Sequence, residues 1–209
     1  MNKKFIVFLL VLFANVWIWR ILGHSFFLGL GLIVLSFFLA FNMRVGTFIL
    51  FSILSVFLLK NTFDTNLLYI SPLDNDRVEH RHEYYAVELG RVYRNRITIN
   101  MNYRAAPYVS RYLKNMAFNL DPNLYFFANH PRERIIAVEF EKFSFLFLPF
   151  FVIGLMTLFS GAFVFLIFYF VLSLLISGLV FPGYDLGPIL IFPFIVVVIH
   201  LGLSKVIKI

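Results

Sequence analysis

The placement of charge along the chain constrains its fold more than any other feature. From Phe5 to Leu59 the only charged residues are Arg20 and Arg44, and from Phe143 to Ser204 the only one is Asp185. Nearly all other charges lie between Asn61 and Lys142. Long uncharged apolar runs are stable against hydrocarbon, so the pattern predicts an integral membrane protein. It has two apolar lobes, residues 1–60 and 143–209, around a polar insert at 61–142. The aromatic residues follow the same division: 24 of 29 Phe lie in the lobes and eight of ten Tyr in the insert. Phe suits acyl chains, whereas Tyr suits an interface where one end stays wet.

The net charge of +7 arises at the ends of the apolar runs, from Lys3, Lys4, Arg20, Arg44, Lys60, Lys205 and Lys208. The insert itself is nearly balanced, with eleven Lys/Arg against ten Asp/Glu, and has no continuous basic face. That argues against nucleic acid as a partner and for lipid headgroups. The absence of Cys excludes disulfides, thiolate metal sites and thiol catalysis.

Six spans are expected, three in each lobe. Phe5–Leu22 reads as an uncleaved first span whose Arg20 snorkels to the headgroups, and Gly23-His24 as a turn. Ser25–Phe41 and Val45–Leu59 follow, separated by Asn42-Met43-Arg44. In the second lobe a break near Ser160-Gly161 divides two spans. Phe181–Pro188 is a turn, and Ile189–Leu203 is the last span, with Pro193 tolerated where neighbours satisfy the freed carbonyl. Gly29-Leu-Gly31 permits close helix packing. Counting short-loop Lys/Arg puts Lys3, Lys4, Arg44, Lys205 and Lys208 inside. Both termini are then cytoplasmic and 61–142 extracytoplasmic in a cell (inner) membrane.

The fold class is therefore all-α membrane protein: about six transmembrane helices in two lobes with a mainly helical insert. In the insert, Ser71-Pro72-Leu73-Asp74 is a helix start. Val78, His82, Tyr85, Leu89 and Val92 then form one helical stripe that Gly90 weakens without ending. A second helix is expected from Pro107, with Val109, Leu113, Met116 and Leu120 as its apolar face. Asp121-Pro122-Asn123 is a turn. So small an insert buries little surface alone, and is expected to pack on the membrane surface through its tyrosines.

Two constellations are chemically suggestive. Glu79, His82 and Glu83 share a helix face and are weak metal-ligand candidates, against a plainer reading as a solvated face with local ion pairs. Arg91, Arg94, Arg96, Arg132 and Arg134 are candidate lipid-phosphate contacts, because a guanidinium binds phosphate bidentately and stays charged. The plainer reading there is headgroup contact and pairing with neighbouring Glu. Asp64, Asp74, Asp76 and Asp121 are the carboxylates nearest the expected membrane edges, where one could serve as a catalytic base toward a lipid-linked sugar; Asp74 and Asp76 are explained by the helix start and Asp121 by the turn. His24 and His200 lie near span ends. No phosphate-binding loop, nucleophile elbow, dinucleotide fingerprint or metalloprotease motif is present, so no cofactor is implied.

Arg91-Val-Tyr-Arg-Asn-Arg96, Tyr112-Leu-Lys-Asn115, Leu120–Phe127 and Asn129-His-Pro-Arg132 together resemble an extracytoplasmic segment of bacterial dolichyl-phosphate-mannose-type (GT-C) glycosyltransferases and related polytopic membrane proteins. The resemblance covers about forty of the 209 residues and implies an outward-facing segment. In that family a catalytic acidic pair follows the first span. Here the corresponding turn, Arg20-Ile-Leu-Gly-His24, has no carboxylate, so no catalytic residue carries over.

The leading expectation is a non-catalytic accessory or interaction subunit in cell-envelope assembly, with membrane lipids and another membrane protein as partners. The alternatives are a membrane enzyme using a lipid-phosphate-linked donor, and a small transporter subunit. Transport calls for paired polar residues at mid-membrane depth, which the spans lack.

Overall fold

The computed structural model describes residues 3–63, 72–93, 96–127, 140–160, 163–180 and 186–208. Every element assigned among them is helical. This suits apolar segments that must satisfy their own backbone hydrogen bonds away from water.

The first lobe contains α1 (Lys3–Phe13), α2 (Val16–His24), α3 (Phe26–Ala40) and α4 (Arg44–Phe63). The expected first span is not one straight helix, because α1 and α2 meet at a 64° bend. The buried side chain of Asn15 forms the corner. Its amide nitrogen donates to the carbonyls of Val11 at 3.1 Å and Leu12 at 2.8 Å, and its oxygen accepts from the Ile18 N–H at 2.9 Å. One side chain thus serves the open end of α1 and the open start of α2. The expected turn at Gly23-His24 is instead the last turn of α2, and Ser25 separates α2 from α3.

The second lobe opens with a 3₁₀ turn, Phe145–Phe147, followed by α10 (Leu148–Ser160) and α11 (Val164–Ser177). The two arms bend by 118° about the position of the expected Ser160-Gly161 break. Another 3₁₀ turn, Ile189–Ile191, leads into α12 (Phe192–Val206). Pro193 lies in the first turn of α12. Its missing N–H would have no helical partner there, so it frees no carbonyl inside a span.

Helix α12 is the centre of the molecule, and every residue from Phe192 to Ile199 is buried. Its closest neighbour is α10. A Cβ on Gly154 would overlap the carbonyl oxygen of Val198, and one on Gly202 the carbonyl oxygen of Phe150. Two glycines therefore let the backbones touch, the device that drives helix association where solvent is already apolar. Gly29 and Gly31 also face neighbours, the side chains of Leu22 and Leu54.

Among the described residues, by length and composition, one helical run, Ile189–Val206, is long and apolar enough to cross a membrane. Counting each bent pair as one span raises the number to three. Helix α3 falls short, since its 15 residues reach about 22 Å at about 1.5 Å per residue, against a core of about 30 Å.

Ring contacts define one end of the bundle. Phe8 meets His200 edge-on at 5.8 Å, and Phe5 and Phe8 meet Phe41 at 6.4 and 6.1 Å. The Arg44 guanidinium lies 5.8 Å from the Phe165 ring. The start of α1, the α3–α4 turn, the start of α11 and the last turns of α12 thus lie together.

The insert contains α5 (Pro72–Glu88), α6 (Gly90–Tyr93), α7 (Arg96–Ile99), a π-helical turn at Asn100–Ala105, α8 (Ala106–Asn119) and α9 (Asn123–Phe126). Helix α5 is described from Pro72, and the expected cap at Ser71 lies outside the described residues. It does not run through Gly90, which adopts φ +51° and redirects the chain. The predicted stripe is divided accordingly: Val78, His82 and Tyr85 are half-buried, while Leu89 at the break and Val92 past it are exposed. The second helix has no free start at Pro107, because the π-helical turn already leads into it.

Candidate functional site

A buried cation marks the junction of the three parts of the chain. Lys142 reads from sequence as one of the insert's charges, yet it is 0% exposed. Burying an ammonium is costly unless polar groups meet it. Its Nζ donates to the Leu124 carbonyl at 2.9 Å and lies 4.8 Å from the Phe140 ring centroid and 5.8 Å from that of Trp17. Arg20 takes Phe140 as well, its guanidinium carbon 4.2 Å from the ring centroid. These are distances at which a ring face attracts a cation. Arg20, expected to snorkel, is instead half-buried against the residue that leads into Lys142.

Trp17 fixes the other side of this junction. Its indole N–H donates to the Leu186 carbonyl at 2.6 Å, and its backbone N–H to the Lys142 carbonyl at 3.3 Å. The indole meets the rings of Tyr125, Phe143 and Phe192 at 5.8, 6.0 and 5.4 Å. Phe143 N–H donates to the Tyr125 carbonyl at 2.8 Å, and the Tyr125 hydroxyl to the Asn119 carbonyl at 2.6 Å. Leu124–Phe126, an apolar patch in the sequence, is therefore the plug that seats the insert between the lobes.

A second attachment lies where α8 meets the end of α11. The Asn115 amide donates to the carbonyls of Gly178 at 3.1 Å and Val180 at 3.4 Å. The Tyr112 hydroxyl donates to the Leu175 carbonyl at 3.0 Å. Desolvation raises the Tyr112 phenol above its usual value. Inside the second lobe the Tyr169 hydroxyl donates to the Leu190 carbonyl at 2.7 Å, tying α11 to the entry of α12.

The sequence-predicted residues are placed as follows. Glu79 and Glu83 are exposed on α5, while His82 is half-buried, its Nδ1 2.9 Å from the Tyr93 hydroxyl. Tyr93 is buried and also meets Tyr85 at 5.6 Å, so this imidazole belongs to an aromatic contact between α5 and α6. Among the described residues no three His, Asp or Glu side chains converge as a metal site. Arg91 is exposed on α6 and Arg96 opens α7; Arg94, Arg132 and Arg134 lie outside the described residues. Asp64 lies outside them too. Asp76 is exposed on α5, and Asp121 accepts from the Asn123 N–H at 2.9 Å in the expected turn.

Sequence reasoning missed Asn15, Asn115, Asn119 and Lys142 as interior residues. Each is a polar residue inside or beside an apolar run, the one signal that marks them. It also missed two hydroxyls. Ser36, Thr47, Ser55 and Thr157 each donate to the carbonyl four residues earlier. Ser173 and Ser177, one turn apart on α11, are buried without such a partner.

No family model, no curated protein and no solved structure matches the chain.

Proposed function

We propose that the chain is a multi-pass inner-membrane protein acting as a non-catalytic accessory or interaction subunit in cell-envelope assembly. The observation that carries this reading is what its buried polar side chains do. Trp17, Lys142, Asn115 and Tyr169 each donate to a backbone carbonyl of another segment. Trp17 joins the two lobes and Asn115 joins the insert to the second lobe, while Lys142 braces the end of the insert and Tyr169 the second lobe, as expected of a rigid platform that presents a surface. The resemblance to GT-C glycosyltransferases is compatible with a partner of that class, and Arg91, Arg94, Arg96, Arg132 and Arg134 are the residues expected to meet lipid phosphate.

In this reading there are six spans: α1 with α2 as one broken span, then α3, α4, α10, α11 and α12. Helix α4 has 20 residues, and its uncharged stretch Val45–Leu59, like the 15 residues of α3, reaches about 22 Å at about 1.5 Å per residue, a shortfall that local thinning of the bilayer would accommodate. The placement of charge supports the orientation. The ring contacts of Phe8 with His200 and Phe41, and of Arg44 with Phe165, bring Lys3, Lys4, Arg44 and Lys205 toward one end of the bundle, the cytoplasmic end under the positive-inside rule. Helix α11 starts at that end beside Arg44 and carries the insert at its other end, which supports the insert being extracytoplasmic.

Because the chain has no Cys, single-cysteine labelling of intact cells has no background. Glu79→Cys is expected to react with a membrane-impermeant maleimide, and Lys208→Cys only after permeabilisation. The opposite pattern would invert the topology. Affinity purification in mild detergent tests the accessory role: a stoichiometric envelope-assembly partner is expected, and turnover of a lipid-linked sugar by the purified protein alone would favour the enzyme.

A further inference from the structure

Helix α8 does not dock through the face that its sequence makes most apolar. Its inward groups are Tyr112, Asn115, Phe118 and Asn119, with Met116 and Tyr112 closing over Gly178. Val109, Leu113 and Leu120, spaced as one stripe at i, i+4 and i+11, remain 53%, 57% and 52% exposed. At 3.6 residues per turn this stripe lies between the docked side and an edge carrying Ser110 and Lys114, both exposed. Protein, apolar stripe and polar edge thus follow one another around the helix.

The neighbour that receives α8 has the same kind of stripe. On α11, Val164, Phe168, Val171 and Leu175 recur at i, i+4, i+7 and i+11, and all are exposed. That stripe ends at Leu175, whose carbonyl holds the Tyr112 hydroxyl. The two exposed apolar faces therefore meet at the point where α8 is fastened. If the face of α11 is covered by acyl chains, its continuation along α8 lies at their upper boundary. Lys114 on the polar edge is placed for headgroup phosphates, and Tyr108 and Tyr112 are side chains suited to that depth.

We propose that α8 is an interfacial helix, its Val109–Leu113–Leu120 stripe seated in the outer headgroup–acyl boundary of the bilayer beside α11. The polar groups Tyr112 and Asn115 hold the helix down, and the apolar stripe is its lipid contact. This inference rests on the membrane reading above.

The test is nitroxide labelling of Val109→Cys and Leu113→Cys in vesicles of phosphatidylethanolamine and phosphatidylglycerol, with Val171→Cys and Glu88→Cys as lipid and water references. All four sites are exposed, so the labels displace no core contact. The expected result is that 109 and 113 collide with oxygen several-fold more than with a water-soluble nickel chelate, at a depth between the two references, whatever the protein-to-lipid ratio. Labels at 109 and 113 that match Glu88→Cys while Val171→Cys stays lipid-like would overturn the inference and leave the membrane reading standing. A water-like Val171→Cys would remove the membrane reading of α11 itself. Labels at 109 and 113 shielded from both reagents would mean that a protein covers the stripe, a second copy or a partner, which also overturns it.

Discussion

The ammonium of Lys142 donates to the carbonyl oxygen of Leu124 at 2.9 Å, joining the entry of the second lobe to the plug at the end of the insert. Replacing Lys142 with Met keeps much of the side-chain volume and removes the donor. A lost hydrogen bond from a charged group costs about 1.5–3 kcal/mol. Lys142→Met is expected to lower the thermal midpoint in detergent clearly and to increase proteolysis between the insert and the second lobe. An unchanged midpoint would show that the contact is dispensable.

The backbone contact of α10 with α12 makes a sharper prediction. Gly154→Ala and Gly202→Ala each put a methyl group into a carbonyl oxygen of the facing helix. Overpacking of this kind costs about 1–3 kcal/mol and sometimes more, so both variants should give poor yields of monodisperse protein. Gly23 in α2 is the control, because a Cβ there meets nothing within 4 Å. Gly23→Ala is expected to be neutral or to stabilise by up to about 1 kcal/mol through helix propensity. Equal behaviour of the three variants on size exclusion and thermal unfolding would contradict this packing.

Asn15 holds the corner between α1 and α2 with three hydrogen bonds to backbone groups. Asn15→Ala removes all of them at a buried position. Loss of an N-cap costs about 0.5–2 kcal/mol, and carbonyls left unsatisfied add to it. Destabilisation at the upper end of that range is expected. Asn15→Asp keeps the acceptor for Ile18 but loses the donors, and should be intermediate or worse if the carboxylate stays buried. A rank order placing Asn15→Ala level with the native protein in denaturation would refute the role.

Tyr112 links pH to the docking of α8. In the unfolded chain its phenol ionises near 10.0, and burial raises it in the folded protein. The unfolded state therefore loses its proton first as pH rises. The associated stability is present below pH 10 and is lost as pH climbs from there toward the raised value. The native protein should lose stability above pH 10 more steeply than Tyr112→Phe, which has no proton to lose. At neutral pH the same variant should be weaker by about 0.5–1.5 kcal/mol, the worth of one neutral hydrogen bond. Parallel melting curves for the two proteins above pH 10 would exclude the coupling.

Much of this architecture is legible in the sequence, because hydrophobic runs and breakers act locally. The last helical run from Ile189, the polar turn before α4 and the turn at Asp121 are where breakers, charges and turn residues place them. The bend at Asn15 was not legible: one Asn in an apolar run looks the same whether it faces a partner helix or caps a corner. Gly90 read as a weakened helix position, since only the fold decides whether a glycine takes up positive φ. For the candidate site the gap is wider. The pairing of Trp17 with Leu186 is set by how the two lobes close on each other, and that of Lys142 with Leu124 by how the insert folds back on itself, which no local pattern records. Helix α8 shows the limit most clearly: its apolar stripe is plain in the sequence, yet the docked face is the one with Tyr112 and Asn115.

By itself the sequence determined which segments are apolar and which polar, because transfer free energy depends on composition and sums along a run. Apolar lobes, a balanced polar insert and the absence of cysteine chemistry follow from that alone. Only the tertiary structure decided that the last helix is the central one, that two glycines let α10 and α12 touch, and that a lysine is enclosed where three segments meet. These depend on shape and on hydrogen bonds between residues far apart in the chain, and such partners are chosen only when the whole fold has closed.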